Sequence, residues 1–175
     1  MGNTETVTGT TSDAERFRKV MSGFATGVAI VTSRADDRIH GMTCNAFCSI
    51  SISPTSVLIS LAKHTRTERM IQSGRVFAVN ILSESQTRLS DRFAGRDKDK
   101  EANRFEGIEW TVAATGAPIL KGIQTYLDCR LRNAFDGGTH TLFLGEVVDV
   151  HVDEFQRPLI FFRSRYMTVD SLKSL

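Results

Sequence analysis

No stretch of this chain is apolar for long enough to cross a bilayer as a helix. Runs such as Val57–Ile59 and Leu142–Leu144 are far shorter than the roughly 20 residues a span requires. No block of lysine or arginine stands out, and 22 basic against 20 acidic residues leave a formal charge of only +2. That balance gives no electrostatic footprint for nucleic acid. Cysteine is scarce: three residues, an odd number, make no disulfide framework and point to a reducing, cytoplasmic setting. Residues 1–11 have neither the basic nor the apolar region of a secretion signal and read as a disordered tail, with a second short tail at 171–175. Repeats and low-complexity segments are absent.

What is present is 175 residues with 41% apolar and 24% charged content, which fits a single globular domain over 12–170. Ser12-Asp13-Ala14-Glu15 is a capping box, and Phe17, Val20, Met21 and Phe24 then fall at helical spacing. They predict a helix over about 13–22 that packs one face on the core. β-Branched segments predict strands at Gly27–Arg34, Ile39–Ile52, Ser56–Leu61, Arg75–Leu82, Thr125–Ala134, Thr139–Val152 and Pro158–Tyr166. Asp136-Gly137-Gly138 is a hairpin turn between two of them. Two further capping boxes, Thr65-x-x-Glu68 and Ser83-x-x-Gln86, start short helices, the first ending before Gly74 and the second at Gly95. The highly charged residues 96–104 read as an exposed loop. Seven strands with few helices between them do not make βαβ units. They predict an antiparallel sheet closed into a barrel, because closure removes exposed edges.

Two neighbouring segments carry the candidate chemistry. In Lys63–Glu68, a helix capped by Thr65 leaves the amides of Arg66, Thr67 and Glu68 at the positive end of its dipole. Lys63 and Arg66 add charge, and Thr65 and Thr67 add hydroxyls. Such an end suits a phosphate, although a capped surface helix explains the same residues. In Gly41–Ser49, the short side chains of Thr43, Cys44, Asn45 and Ala46 let a flat heterocycle approach the main chain, although a plain strand edge also accounts for them. Only the strand Ser56–Leu61 separates the two, which can place ring and phosphate within one ligand's length. Cys44 and Cys48 lack a second ligand pair, since Cys129 and His64 are not spaced like one, so no metal is expected. No Ser-His-Asp arrangement is assignable.

Seven blocks in order give these segments a context: 17–32 (F-R-K-V-M-S-G-F-A-T-G-V-A-I-V-T), 41–54 (G-M-T-C-N-A-F-C-S-I-S-I-S-P), 57–67 (V-L-I-S-L-A-K-H-T-R-T), 77–82 (F-A-V-N-I-L), 91–95 (D-R-F-A-G), 140–147 (H-T-L-F-L-G-E-V) and 158–166 (P-L-I-F-F-R-S-R-Y). Over roughly 14–168 the chain resembles the short-chain flavin reductases. The resemblance implies a mainly β fold, an antiparallel Greek-key split barrel of the FMN-binding type with a few short peripheral helices. It implies hydride transfer from NADH or NADPH to FMN or FAD, a homodimer, and delivery of reduced flavin to an oxygenase component. Thr43, Cys44, Asn45 and Ala46 would face the isoalloxazine, with Cys48 and Ser49 close behind. Ser60 and Ala62 would line the ribityl chain, Lys63 and Thr67 would hold phosphate, and Arg92 and Phe93 would reach the same cofactor.

The family's Gly-Asp-His, associated with the nicotinamide nucleotide, reads Gly138-Thr139-His140 here. The resemblance makes His140 and Tyr166 the nucleotide residues, Tyr166 as a lid. The altered motif leaves room for another class, a flavin- or haem-binding split barrel without turnover. Hydride transfer between stacked rings requires positioning and amide donors rather than a protein base.

Overall fold

The computed structural model describes residues 11–98, 103–153 and 156–169. The expected tails, apart from Thr11, and the Ser12 side chain of the first capping box lie outside the described set. Seven strands form one antiparallel sheet: β2 (Ala29–Ala35), β3 (Arg38–Cys44), β4 (Phe47–Ile52), β5 (Thr55–Ala62), β6 (Val76–Ile81), β9 (Thr125–Asp136) and β10 (His140–Val152). Their order is β3-β2-β6-β9-β10-β5-β4. Between β5 and β6 the chain crosses the β9–β10 pair through α2 (Arg66–Gly74), which makes the order a Greek key rather than a meander. Alternate residues Val31, Ile59, Leu61, Phe77, Val79 and Phe143 fill the interior. A second cluster on the outer face joins Val28 and Ile30 to Leu82, Phe93, Leu120 and Leu159. β2 is thus buried on both sides at every residue but Arg34, and its buried Thr32 and Ser33 hydroxyls are satisfied by main-chain carbonyls.

The barrel does not close, contrary to the expectation from strand count. β3 and β4 are consecutive in sequence but stand at opposite ends of the sheet order. The chain bends between them at Asn45 and Ala46, and Ser60 N–H donates to Ala46 O at 2.9 Å, which extends the β4–β5 ladder into the bend. The single strand region predicted over Ile39–Ile52 is therefore two strands. On the β4 edge Ile50 and Ile52 are exposed rather than buried. The predicted strand Pro158–Tyr166 is a small hairpin, β11 (Ile160–Phe162) and β12 (Arg165–Met167). Arg163 and Ser164 make its turn at φ 47° and 59°, without the glycine or asparagine that signals such turns. β1 (Thr26–Gly27) pairs with β11, and a short pair, β7 (Trp110–Val112) and β8 (Pro118–Leu120), packs on the outer face, where Leu120 N–H donates to Asn80 and Thr32 donates to Pro118 O.

The first helix, α1 (Thr11–Ser22), departs furthest from expectation. Phe17 and Val20 are 66% and 74% exposed, and Phe24, just past the helix end, is 68% exposed, so this apolar face covers none of the core. Periodicity identifies an apolar face but not what meets it.

α2 is capped as expected, with Thr65 Oγ1 accepting from Glu68 N–H at 3.3 Å. The Glu68 carboxylate does not complete the box. It turns inward, accepting from Thr141 Oγ1 at 2.9 Å and from Gln72. Gly74 is the last residue of α2 rather than the one after it, and Arg75 takes the left-handed position at φ 59°. Ser83 N–H donates to Gln86 Oε1 at 2.9 Å and opens a 3-10 turn that leads into α3 (Thr87–Phe93). Among the described residues no helix is long and apolar enough to cross a membrane.

Candidate functional site

Two clefts meet at the seam. The first, of about 910 Å³, lies between β3, the start of α2, the end of α3 and the β11–β12 hairpin. Arg66, Arg69, Arg96, Lys98 and Arg104 line it, and among the described residues none of the lining is a carboxylate. The second, of about 1000 Å³, is mostly apolar and runs between α1 and the Cys44–Cys48 bend, with Phe17, Met21, Phe24, Phe47 and Leu58 in its walls. Val28, Asn45 and Phe161 belong to both, so an apolar compartment opens past Asn45 into a cationic one. A ligand with an apolar ring and an anionic tail fits that polarity.

The cationic walls are held by structure rather than left to swing. Arg104 donates to Phe93 O at 2.7 Å and Gly41 O at 3.2 Å. Arg96 pairs with Asp91 at 2.6 Å and lies over the Tyr166 ring, 5.6 Å from its centroid. His40 extends from β3 with its Nδ1 2.8 Å from Thr67 Oγ1. Burial first, and then the charges of Arg104 and Arg66, lower its pKa to about 4, so the imidazole is neutral at pH 7.

The residues singled out from sequence separate into groups. Cys44, Asn45, Ala46, Cys48 and Ser60 line the apolar cleft, and Thr43, Asn45, Thr67, Phe93 and Tyr166 line the cationic one. Burial pushes the Cys44 thiol up to about 11, so it is an inert wall. Thr43 Oγ1 donates to Ser90 O at 2.6 Å and ties the bend to α3. Ser49 and Ala62 line neither cleft.

Lys63 donates to Asp136 Oδ1 at 2.6 Å, which draws it onto the β9–β10 turn instead of the cleft. That bond and the Gly138 N–H hold the Asp136 carboxyl below its ordinary pKa. Thr67 is wholly buried. Arg92 donates to the carbonyls of Arg104 (2.8 Å) and Glu106, fixing that loop. Phe93 is also wholly buried, edge-on to Phe105 at 5.2 Å.

His140 and Tyr166 are not brought together. His140 is exposed at the start of β10, shares a 2.9 Å hydrogen bond with Thr139, and lines neither cleft. Tyr166 stands in the cationic wall, its hydroxyl 2.8 Å from Ser90 Oγ and donating to Asp91 Oδ1 at 3.0 Å. Sequence reasoning missed His40, Arg96 and Arg104. His40 shares a strand face with Met42 two residues on, a weak signal. Nothing local marks the two arginines, which lay in the segment read as an exposed charged loop.

A family profile described as flavin reductase like domain matches residues 21–170. Reductase subunit HsaB of the flavin-dependent monooxygenase of Rhodococcus jostii is 37% identical over 163 residues, 93% of this chain and 82% of that protein. The NADH-dependent FAD reductase of Streptomyces globisporus is 34% identical, over 78% of this chain and 75% of its own. The solved structure of flavin reductase PheA2 in its native state superposes with a TM-score of 0.83 at 37% identity, covering 91% and 99% of the two chains. A barrel split at the Asn45–Ala46 bend, its paired clefts and these matches agree: the chain belongs to the flavin reductase like domain family.

Proposed function

We propose that the protein is an NAD(P)H:flavin oxidoreductase that supplies reduced FMN or FAD to a partner monooxygenase. The single observation that carries this reading is the continuity of an apolar cleft with a cationic one past Asn45. The flavin, when bound, supplies the hydride-accepting chemistry. The chain's part is placement. Main-chain groups of Cys44–Ala46 meet the polar edge of the ring, and the walls from Phe17 to Phe47 exclude water. Arg66 at the first turn of α2 meets the phosphate at the positive end of the helix. Phe161 and Tyr166 offer a wall for the nicotinamide. Among the described residues no acidic side chain lines either cleft, in keeping with hydride transfer between stacked rings that needs no protein base. Reductase components of monooxygenases among the relatives, HsaB and that of a resorcinol hydroxylase in Rhizobium, support an oxygenase as recipient. Three free cysteines, two of them buried, support a reducing cytoplasm. Purified protein mixed with FMN or FAD is expected to oxidise NADH or NADPH, followed as loss of the nicotinamide absorbance. If no pairing of nucleotide and flavin is consumed, the reading is wrong.

The working unit is a homodimer in which the second copy covers α1. Phe17, Val20 and Met21 on α1, with Phe24 just past its end, leave exposed apolar surface, and Phe17, Met21 and Phe24 also wall the apolar cleft. Light scattering is expected to give twice the monomer mass, and Phe17→Ser/Phe24→Ser to shift it to the monomer. A wild-type monomer at micromolar concentration contradicts the assignment.

A further inference from the structure

His40, on β3, faces the first turn of α2, and its Nδ1 is 2.8 Å from the Thr67 hydroxyl. Thr67 is wholly buried, and among the described residues that nitrogen is its hydroxyl's only partner. A hydroxyl carries one proton, and burying that proton without an acceptor is costly. The proton therefore points at Nδ1, which must be the bare nitrogen of the ring. Burial, Arg104 and Arg66 keep the imidazole neutral, with its pKa lowered to about 4. Its single N–H is then on Nε2. Nε2 bonds to no described residue and is not sealed from solvent. The ring thus presents an open donor in a wall whose charged groups, among the described residues, are cations.

The nearby carboxylates are directed elsewhere. Glu68, on α2, accepts from Thr141 and Gln72, and Asp91, on α3, from Arg96 and Tyr166. Neither competes for the Nε2 proton. Arg66 and Arg69 on α2, with Arg104 from the loop, already supply positive charge. A further full charge beside them would be repelled, whereas a neutral donor adds a directed bond without that repulsion.

We propose that His40 Nε2–H donates to a phosphate oxygen of the bound flavin, and that Thr67 is a positioning residue that fixes this tautomer from behind. The inference rests on the flavin-binding reading of the cleft and gives Thr67 a new part. It serves the phosphate through His40 and does not touch it.

Nitrogen-15 spectra of the imidazole rings at pH 7 test the tautomer directly. His40 is expected to show the Nε2–H form, with the Nε2–H signal moving on titration with FMN or inorganic phosphate and staying still with riboflavin. An Nδ1–H form overturns the proposal, as does an equal movement with riboflavin. Thr67→Val keeps the side chain's shape and loses the hydroxyl. It is expected to populate both tautomers and to raise the Kd for FMN about fivefold, leaving riboflavin within about twofold. Thr67→Ser restores both properties.

His40→Ala removes the donor and also leaves the buried Thr67 hydroxyl without its acceptor, and is expected to weaken FMN about tenfold but riboflavin hardly at all. Equal loss for both ligands, or none for FMN, overturns the assignment. A wild type that reduces no flavin defeats the reductase reading and leaves the phosphate titration to decide this one. An active wild type in the Nδ1–H form defeats this proposal alone.

Discussion

Gly74→Ala is expected to destabilise the fold by about 3 kcal/mol or more, as befits overpacking against rigid main chain. A Cβ on Gly74 would lie 1.8 Å from Arg34 O, 2.8 Å from Arg34 C and 3.2 Å from Ala35 Cα. None of these is the end of a flexible side chain. Arg34 and Ala35 belong to β2, which is bonded to β3 on one side and β6 on the other, so it cannot retreat without breaking a ladder. Gly74 has ordinary negative φ, and the requirement for glycine is close approach rather than backbone freedom. The cheaper relief is for α2 to lift away, which displaces its first turn and the phosphate end of the cleft. Urea denaturation is expected to show the loss, and the melting temperature to fall on the order of 10 °C for a domain of this size. Gly27→Ala, where an added Cβ meets nothing within 4 Å, is the control and is expected to stay within about 0.5 kcal/mol of wild type. A Gly74→Ala protein as stable as wild type would show that α2 shifts freely on the sheet.

Gly74 also marks a limit of sequence reading. A glycine near a helix end reads as a left-handed cap, yet Arg75 takes that conformation and Gly74 serves a contact 40 residues away in the chain. The same division recurs through the molecule. The Thr65 cap and the Asp136-Gly137-Gly138 turn depend on neighbours in sequence and were legible. The inward turn of Glu68 depends on Thr141, and the strand break at Arg163-Ser164 has no glycine to announce it. The apolar stripe of α1 was legible, but its exposure was not, because a stripe does not name its partner. At the site, the 43–46 bend and the α2 cap could be found because each is a local device. His40, Arg96 and Arg104 join them only through the packing of β3, α3 and the following loop. The turn of Lys63 toward Asp136, 73 residues further on, was hidden for the same reason.

Arg66→Glu is expected to raise the Kd for FMN about 100-fold while leaving riboflavin within about threefold, a difference of some 2.7 kcal/mol. Arg66 is the first residue of α2, is exposed, and lines the cationic cleft. A phosphate there meets its guanidinium together with the positive end of the helix. Glutamate removes a charge-assisted hydrogen bond and adds repulsion. It also suits the first turn of a helix, so α2 remains folded and the loss is one of binding.

Lys63→Ala is expected to change FMN affinity by no more than about threefold. Its ammonium is already paired with Asp136, whose side chain is 75% exposed, and it lines neither cleft. Fluorescence titrations of FMN and riboflavin at low and high salt separate the effects, because salt weakens the repulsion contributed by glutamate. Equal loss of both flavins in Arg66→Glu would place Arg66 at the ring instead. A larger loss in Lys63→Ala than in Arg66→Glu would return the phosphate to Lys63. It would also require the Lys63–Asp136 pair to open on binding and the β9–β10 turn, with His140 at its end, to become part of the site.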